Sequence, residues 1–190
     1  MKTDDQNLPL TPLIALVHHR WNIPVLAELE RQSGGRFVTL ANNLGASRSS
    51  LSRSLGDLMD MGLVVKNPGV GHPMRPEYLL TSRGREIGSQ CVSLVRLLYR
   101  RGENDIAYRK WTLPLVAALG SRVRRFNELR DALGDRATPR AVALGLRAMT
   151  EQRWATRSLI DEYPPAAGYQ LMPKGRSVLE RIREFYCPHP

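Results

Sequence analysis

The sequence predicts a mainly α fold with small β elements, built as two copies of one domain type, and three observations carry that prediction. First, a stretch is written twice: Arg20-Trp21-Asn22-Ile23-Pro24 returns as Lys110-Trp111-Thr112-Leu113-Pro114, Arg36-Phe37 as Arg125-Phe126, and Tyr78-x-Leu80-x-x-x-Gly84-Arg85 as Tyr169-x-Leu171-x-x-x-Gly175-Arg176. The offset is 90 at the Trp pair, 89 at the Phe pair and 91 from residue 47 onward, so the copies differ by small changes in turns. Second, in each copy apolar residues recur at helical spacing and are followed by short β stretches bounded by turn residues. Third, a chain of 190 residues, 42% of them hydrophobic, fits two modest single-core domains better than one large one.

In the first copy, Leu13, Ile14, Leu16 and Val17 form a short apolar helix. A second helix follows from Asn22 to Arg31, with Val25, Leu26 and Leu29 inward, and Ser33-Gly34-Gly35 ends it. Phe37, Leu40, Ala41 and Leu44 mark the next helix; Gly45 makes the turn; Ser47 caps a helix whose Leu51, Leu55, Leu58 and Met59 form one apolar face. Helix, tight Gly turn and Ser-capped helix is the pattern of a helix-turn-helix. Leu63 to Lys66 and Glu77 to Leu80, separated by a Gly/Pro loop from Asn67 to Arg75, read as a β hairpin or wing, and a helix from Ser82 to Arg101 closes the unit.

The second copy repeats the plan. Helices are expected from Lys110 to Leu119 and Phe126 to Leu133, then one with Thr138 as N-cap, Pro139 as first helical residue and Val142, Leu146 and Met149 as its core face. Trp154 to Leu159 and Tyr169 to Met172 make the second hairpin, and Gly175 to Tyr186 the closing helix. Three helices, a two-stranded wing and a trailing helix describe a winged helix. The expected architecture is therefore a tandem of winged helix-turn-helix domains over residues 11–101 and 106–187, mainly α with small β wings.

The formal net charge is +10, and each half of the chain, divided at Arg101, carries +5. The excess belongs to the repeated unit, which favours a polyanionic partner, nucleic acid before anionic membrane, because no strongly basic amphipathic helix with a wide apolar face stands out. Of the 28 basic residues 24 are Arg, suited to bidentate contact with phosphate or guanine, although a GC-rich genome produces the same bias. Nothing resembles a signal peptide or membrane span, so a cytoplasmic protein is expected. Two cysteines, Cys91 and Cys187, both expected in helices, make a disulfide framework or Cys-based metal site implausible.

The order Trp, Arg-Phe-x-x-Leu, Ser-x-x-x-Leu-x-x-x-Leu-x-x-Leu, Gly-Leu-Val, Pro-x-x-Tyr-x-Leu-Thr-x-x-Gly in the first copy closely resembles the HxlR type of bacterial winged-helix transcriptional regulator; the second copy is a weaker match. The resemblance covers nearly the whole chain and implies DNA binding. Two departures matter. Members of that family usually carry one domain and dimerise through their first and last helices, whereas two domains are fused here. Several also have a redox-sensing Cys before the first helix; Asp4 to Thr11 contains none, so that function is not carried over.

The resemblance implies that the third helix of each copy enters a major groove of double-stranded DNA while the wing follows the backbone. In the first copy the residues off the core face are Ser47, Arg48, Ser49, Ser50, Ser52 and Arg53, hydrogen-bonding groups with two guanidiniums, and Lys66, His72 and Arg75 make its wing basic. Arg140 and Arg147 are their counterparts in the second copy, but Leu144 stands where Arg53 stands in the first, and Asp161 and Glu162 at the wing would repel phosphate. The second domain is expected to bind DNA with its helix alone or to have drifted toward another role.

Trp21, Tyr99, Tyr108, Trp111 and Phe185 fall in or near the first and last helices, which form the dimer interface in the resembling family. A pocket at such a seam would take a small, flat aromatic effector; packing is the competing reading of the same residues. No enzyme, metal or cofactor site is expected. There is no Gly-rich phosphate loop and no His pair at ligand spacing on a helix, and His18 and His19, adjacent in sequence, would point to different sides of one. The expected function is a sequence-specific DNA-binding transcriptional regulator, a monomer whose two domains act as an internal pseudo-dimer with two-fold pseudo-symmetry. The alternative is a ligand-binding or drug-sequestering protein that keeps the fold without DNA recognition.

Overall fold

The computed structural model describes residues 8–68, 76–160 and 165–186. The chain divides into two compact units: residues 16–104, and residues 105–190 joined by the N-terminal segment up to Ala15. The N-terminal helix α1 (Leu10–Leu16) therefore belongs almost wholly with the C-terminal unit, although the repeat would count it with the first copy.

The unit over residues 16–104 opens with α2 (Asn22–Gln32), buried without a break from Asn22 to Leu29. Pro24 is tolerated because it lies in the first turn, where no helical acceptor is available to its nitrogen. Ser33, at φ 56°, stops the helix, and its amide and that of Gly34 return to the carbonyls of Glu30 and Leu29. A two-residue strand, β1 (Gly35–Arg36), leads into α3 (Phe37–Leu44); Gly45 at φ 63° and Ala46 make the turn into α4 (Arg48–Asp60). Strands β2 (Val64–Asn67) and β3 (Glu77–Leu80) pair antiparallel, and α5 (Ser82–Arg101) follows. β1 joins the other edge of β3, Gly35 opposite Tyr78, so the sheet has three strands in the order β1-β3-β2. Sequence periodicity could not announce a two-residue strand.

Leu26, Leu29, Leu40, Leu51, Leu55, Leu58, Leu94 and Leu98 make a fully buried core from α2, α3, α4 and α5. One expected core residue is misplaced: Met59 is 36% exposed, and Ser54 turns inward instead. The inward set 51, 54, 55 and 58 follows the i, i+3, i+4, i+7 stripe of a helix, which Met59 overshoots.

The other unit repeats this order with α6 (Asn104–Ala107), α7 (Thr112–Leu119), β4 (Arg124–Arg125), α8 (Phe126–Leu133), α9 (Pro139–Glu151), β5 (Ala155–Ile160), β6 (Ala166–Leu171) and α10 (Pro173–Glu184). Its sheet order is β4-β6-β5, the same topology as the first. A 3-10 turn, Gly134–Arg136, separates α8 from α9 and holds two residues that have no counterpart in the first copy, which is why the sequence offset rises from 89 to 91 across it. Tyr186, past α10, donates its hydroxyl to the Pro9 carbonyl at 2.8 Å and so ties the N-terminal segment to this unit.

Two shared details explain why the repeated motifs persist at the residue level. Trp21 and Trp111 precede α2 and α7, each under a cation from the preceding residue: Arg20 at 5.4 Å and Lys110 at 5.2 Å from the ring centroid. Gly84 and Gly175 begin α5 and α10 against a carbonyl, where an added Cβ would lie 2.0 Å from Leu63 O and 2.3 Å from Trp154 O. Glycine is required there by close approach. No helix among the described residues is long and apolar enough to cross a membrane.

Candidate nucleic-acid interface

α4 is held by a capping network at its start. The Ser47 hydroxyl accepts the Ser50 amide at 3.2 Å, donates to the Ser50 hydroxyl at 2.9 Å and lies 3.2 Å from that of Ser49. Ser47 and Ser50 are thus engaged in fixing the helix end, which presents the remaining groups in a set direction. With Leu51, Ser54, Leu55 and Leu58 buried, Arg48, Ser49, Ser52 and Arg53 are exposed along the outward side. Neither Arg48 nor Arg53 forms an ion pair among the described residues. Two uncommitted guanidiniums and two hydroxyls on the outer face of a capped helix can donate to phosphate oxygens and base edges.

The wing adds Lys66, exposed on β2 opposite Tyr78. His72 and Arg75, expected to make the same wing basic, lie outside the described residues, as do Asp161 and Glu162 of the second wing.

α9 presents a different outer face. Thr138 caps it as expected, accepting the Ala141 amide at 3.2 Å, and Arg140 is exposed without an ion pair among the described residues. Arg147, however, donates through Nε to Glu151 at 2.8 Å, and that hydrogen bond, reinforced by the attraction between the two charges, makes its guanidinium hold its proton more firmly than usual. Leu144, in the place of Arg53, is 56% exposed. Arg157 of β5, missed in the sequence, is exposed opposite Tyr169 as Lys66 is opposite Tyr78; the offset of 91 could have found it. The outer face of α9 therefore offers one guanidinium clear of ion pairs among the described residues, and an exposed leucine, where that of α4 offers two guanidiniums and two serines, while β5 keeps one cation at the position matching Lys66.

Of the aromatic residues, Trp21, Tyr108, Trp111 and Phe185 are half-buried and Tyr99 is 77% exposed. A cation beside each Trp ring covers part of the surface a flat ligand would use. Cys91 is fully buried on α5, and burial pushes its thiol far above the ordinary range, which leaves it a poor nucleophile; Cys187 lies outside the described residues.

His18 and His19 depart from expectation. They sit in the turn between α1 and α2, not on a helix, and their rings lie 4.8 Å apart at 60°. The His19 Nε2 atom is 3.5 Å from Oδ2 of Asp57, on α4.

The HxlR-like helix-turn-helix family model matches twice, over residues 16–104 and 106–187. A Mycobacterium tuberculosis protein named an uncharacterized HTH-type transcriptional regulator is 37% identical over 83 residues, 44% of this chain and 52% of the relative. One of the same description from Synechocystis is 32% identical over 92 residues, 47% of this chain and 66% of the relative. The alignment thus spans about half the length of the mycobacterial relative. Among solved structures, a putative MarR-family transcriptional regulator from Porphyromonas gingivalis aligns with TM-score 0.42 and 26% identity, over 46% of this chain and 84% of its own.

Proposed function

Because the chain belongs to the HxlR-like helix-turn-helix family, in two tandem copies, we propose that it is a cytoplasmic transcriptional regulator that binds double-stranded DNA with sequence preference. The single observation that carries this reading is the outer face of α4: a Ser-capped helix presenting Arg48, Ser49, Ser52 and Arg53 with no ion pair on either Arg among the described residues. The net charge of +10, shared by both copies, supports it by supplying the salt-dependent attraction to phosphate common to such proteins. The first copy is the principal reader. The second contributes Arg140 and Arg157, with Leu144 and the Arg147–Glu151 pair reducing what α9 adds.

The finer parts of the proposal are that one chain, as a monomer of 21.4 kDa, supplies both reading helices, and that a small planar aromatic effector tunes it. The half-exposed Trp21 and Trp111 report on the second part, since a bound aromatic would displace the cations beside their rings, quench their fluorescence and raise the melting temperature. The experiment for DNA binding is a mobility-shift titration with the DNA upstream of the protein's own gene against unrelated DNA of equal length. Tighter binding to the upstream fragment is expected. Equal, weak binding to both at low salt would favour a protein that sequesters ligands without recognising DNA.

A further inference from the structure

We propose that His18, His19 and Asp57 form a binding site for one divalent transition-metal ion of the zinc type. The two imidazoles come from the turn before α2 and the carboxylate from the last third of α4, and one ligand atom from each lies within 4.8 Å of the others. Ligand atoms about 2.0–2.2 Å from a tetrahedral zinc ion stand about 3.4 Å apart. The His19–Asp57 separation of 3.5 Å already has that value. The rest is within a rotamer adjustment, because His18 is exposed and His19 and Asp57 are only half-buried.

Two observations separate this cluster from an ordinary surface contact. At 3.5 Å, His19 and Asp57 are within ion-pair range when the imidazole is protonated but at the outer limit for a hydrogen bond, and no hydrogen bond joins them among the described residues. The second copy builds the same junction without any of the three, carrying Tyr108, Arg109 and Ala148 in their places. The fold therefore does not need the cluster. Nitrogen and carboxylate ligands suit zinc, cobalt or nickel, and three protein ligands leave a fourth position for water.

An ion held here would tie α4 to the turn preceding α2, one helical turn from Arg53. A change in DNA affinity on metal loading follows, a consequence that rests on reading α4 as the DNA-contacting helix.

The test is a Co2+ titration of the full chain followed in the visible range, alongside the variants His19→Ala and Asp57→Asn, with circular dichroism and melting to establish that each variant folds. Expected are the intense ligand-field bands of four-coordinate Co2+ saturating at one equivalent, loss of those bands on adding one equivalent of Zn2+, and their absence from both variants. A spectrum in wild-type protein no stronger than that of hydrated Co2+ would overturn the site. So would bands that survive in either folded variant, because His72 and His189 remain in both and would be the adventitious binders. If Asp57→Asn fails to fold, His19→Ala and His18→Ala decide the matter by the same readout. DNA affinity with and without Zn2+ is measured separately: a protein that binds no DNA yet gives the Co2+ spectrum defeats the regulator reading alone, and one whose DNA affinity ignores Zn2+ defeats the coupling alone.

Discussion

Gly84→Ala should destabilise the unit over residues 16–104 through a single backbone collision. The added Cβ would sit 2.0 Å from the Leu63 carbonyl oxygen, with the Leu63 carbonyl carbon at 3.0 Å and Leu80 Cβ at 3.3 Å. The nearest atom is backbone, so relief requires α5 to back away from the sheet by about 1 Å, an overpacking that costs about 1–3 kcal/mol. That movement also strains the bond from the Thr81 amide to Leu63 O, 3.0 Å, and the cap in which the Gly84 amide donates to Thr81 Oγ1, 2.9 Å, worth about 1 kcal/mol each. Alanine's better helix propensity returns about 1 kcal/mol. A net loss of about 1–3 kcal/mol corresponds to a fall of at least about 5 °C in the melting temperature of a unit this size. Gly56→Ala is the internal control: it lies inside α4 with nothing within 4 Å of the added Cβ, so the same chemical change should leave the melting temperature unchanged or raise it. Thermal melts followed by circular dichroism compare the three proteins. Gly84→Ala melting at or above wild type would refute the close-approach account of the repeated Tyr-x-Leu-x-x-x-Gly motif.

Arg140→Ala should weaken binding to upstream DNA less than Arg48→Ala does, measured by fluorescence anisotropy at one salt concentration; an equal or larger loss would mean that the second reading helix has been undervalued. Tyr186 has its hydroxyl pushed up to about 12, chiefly by burial, with a backbone hydrogen bond at Leu13 acting the other way. The folded state thus holds the phenol proton more tightly than the unfolded chain, whose tyrosine titrates near about 10. This contribution is complete below pH ~10 and is lost as pH rises toward 12. Tyr186→Phe should therefore flatten the alkaline fall in melting temperature, and an unchanged profile would contradict the assignment. Cys91 should resist a maleimide reagent in native Cys187→Ser protein and react only on unfolding, as read by mass spectrometry; rapid native labelling would contradict its burial.

Much of the architecture was legible because both copies use strong local signals. Ser47 and Thr138 cap their helices as residue type suggested, Ser33 and Gly45 take the left-handed conformation at helix ends, and the leucine spacing of α4 finds the core. What escaped was set by tertiary pairing: β1 and β4 exist because β3 and β6 offer a free edge, and the N-terminal segment joins the distant copy, which no local pattern announces. Met59 and Ser54 exchanged roles because a helical stripe is narrower than the apolar residues that border it.

The exposure of Arg48, Ser52 and Arg53 was legible from the helical spacing of α4. The candidate interface was illegible where a partner decides the role: Ser47 and Ser50 are engaged at the cap, and Arg147 is paired with Glu151. His18, His19 and Asp57 could not be joined from sequence, since Asp57 reaches the histidines only through the packing of α4 against the start of the unit.

The most direct test of the central claim is the affinity of wild type and of the Arg48→Ala/Arg53→Ala double variant for upstream DNA and for a scrambled duplex, each measured across a range of salt concentrations. Each arginine that reads a base should be worth about 1–3 kcal/mol of discrimination, and each that neutralises a phosphate should contribute to the salt slope. The account predicts that wild type prefers the upstream duplex with a steep salt dependence, and that the double variant binds both duplexes alike and with a shallower slope. A double variant that keeps both the preference and the slope would contradict the assignment of α4 as the reading helix.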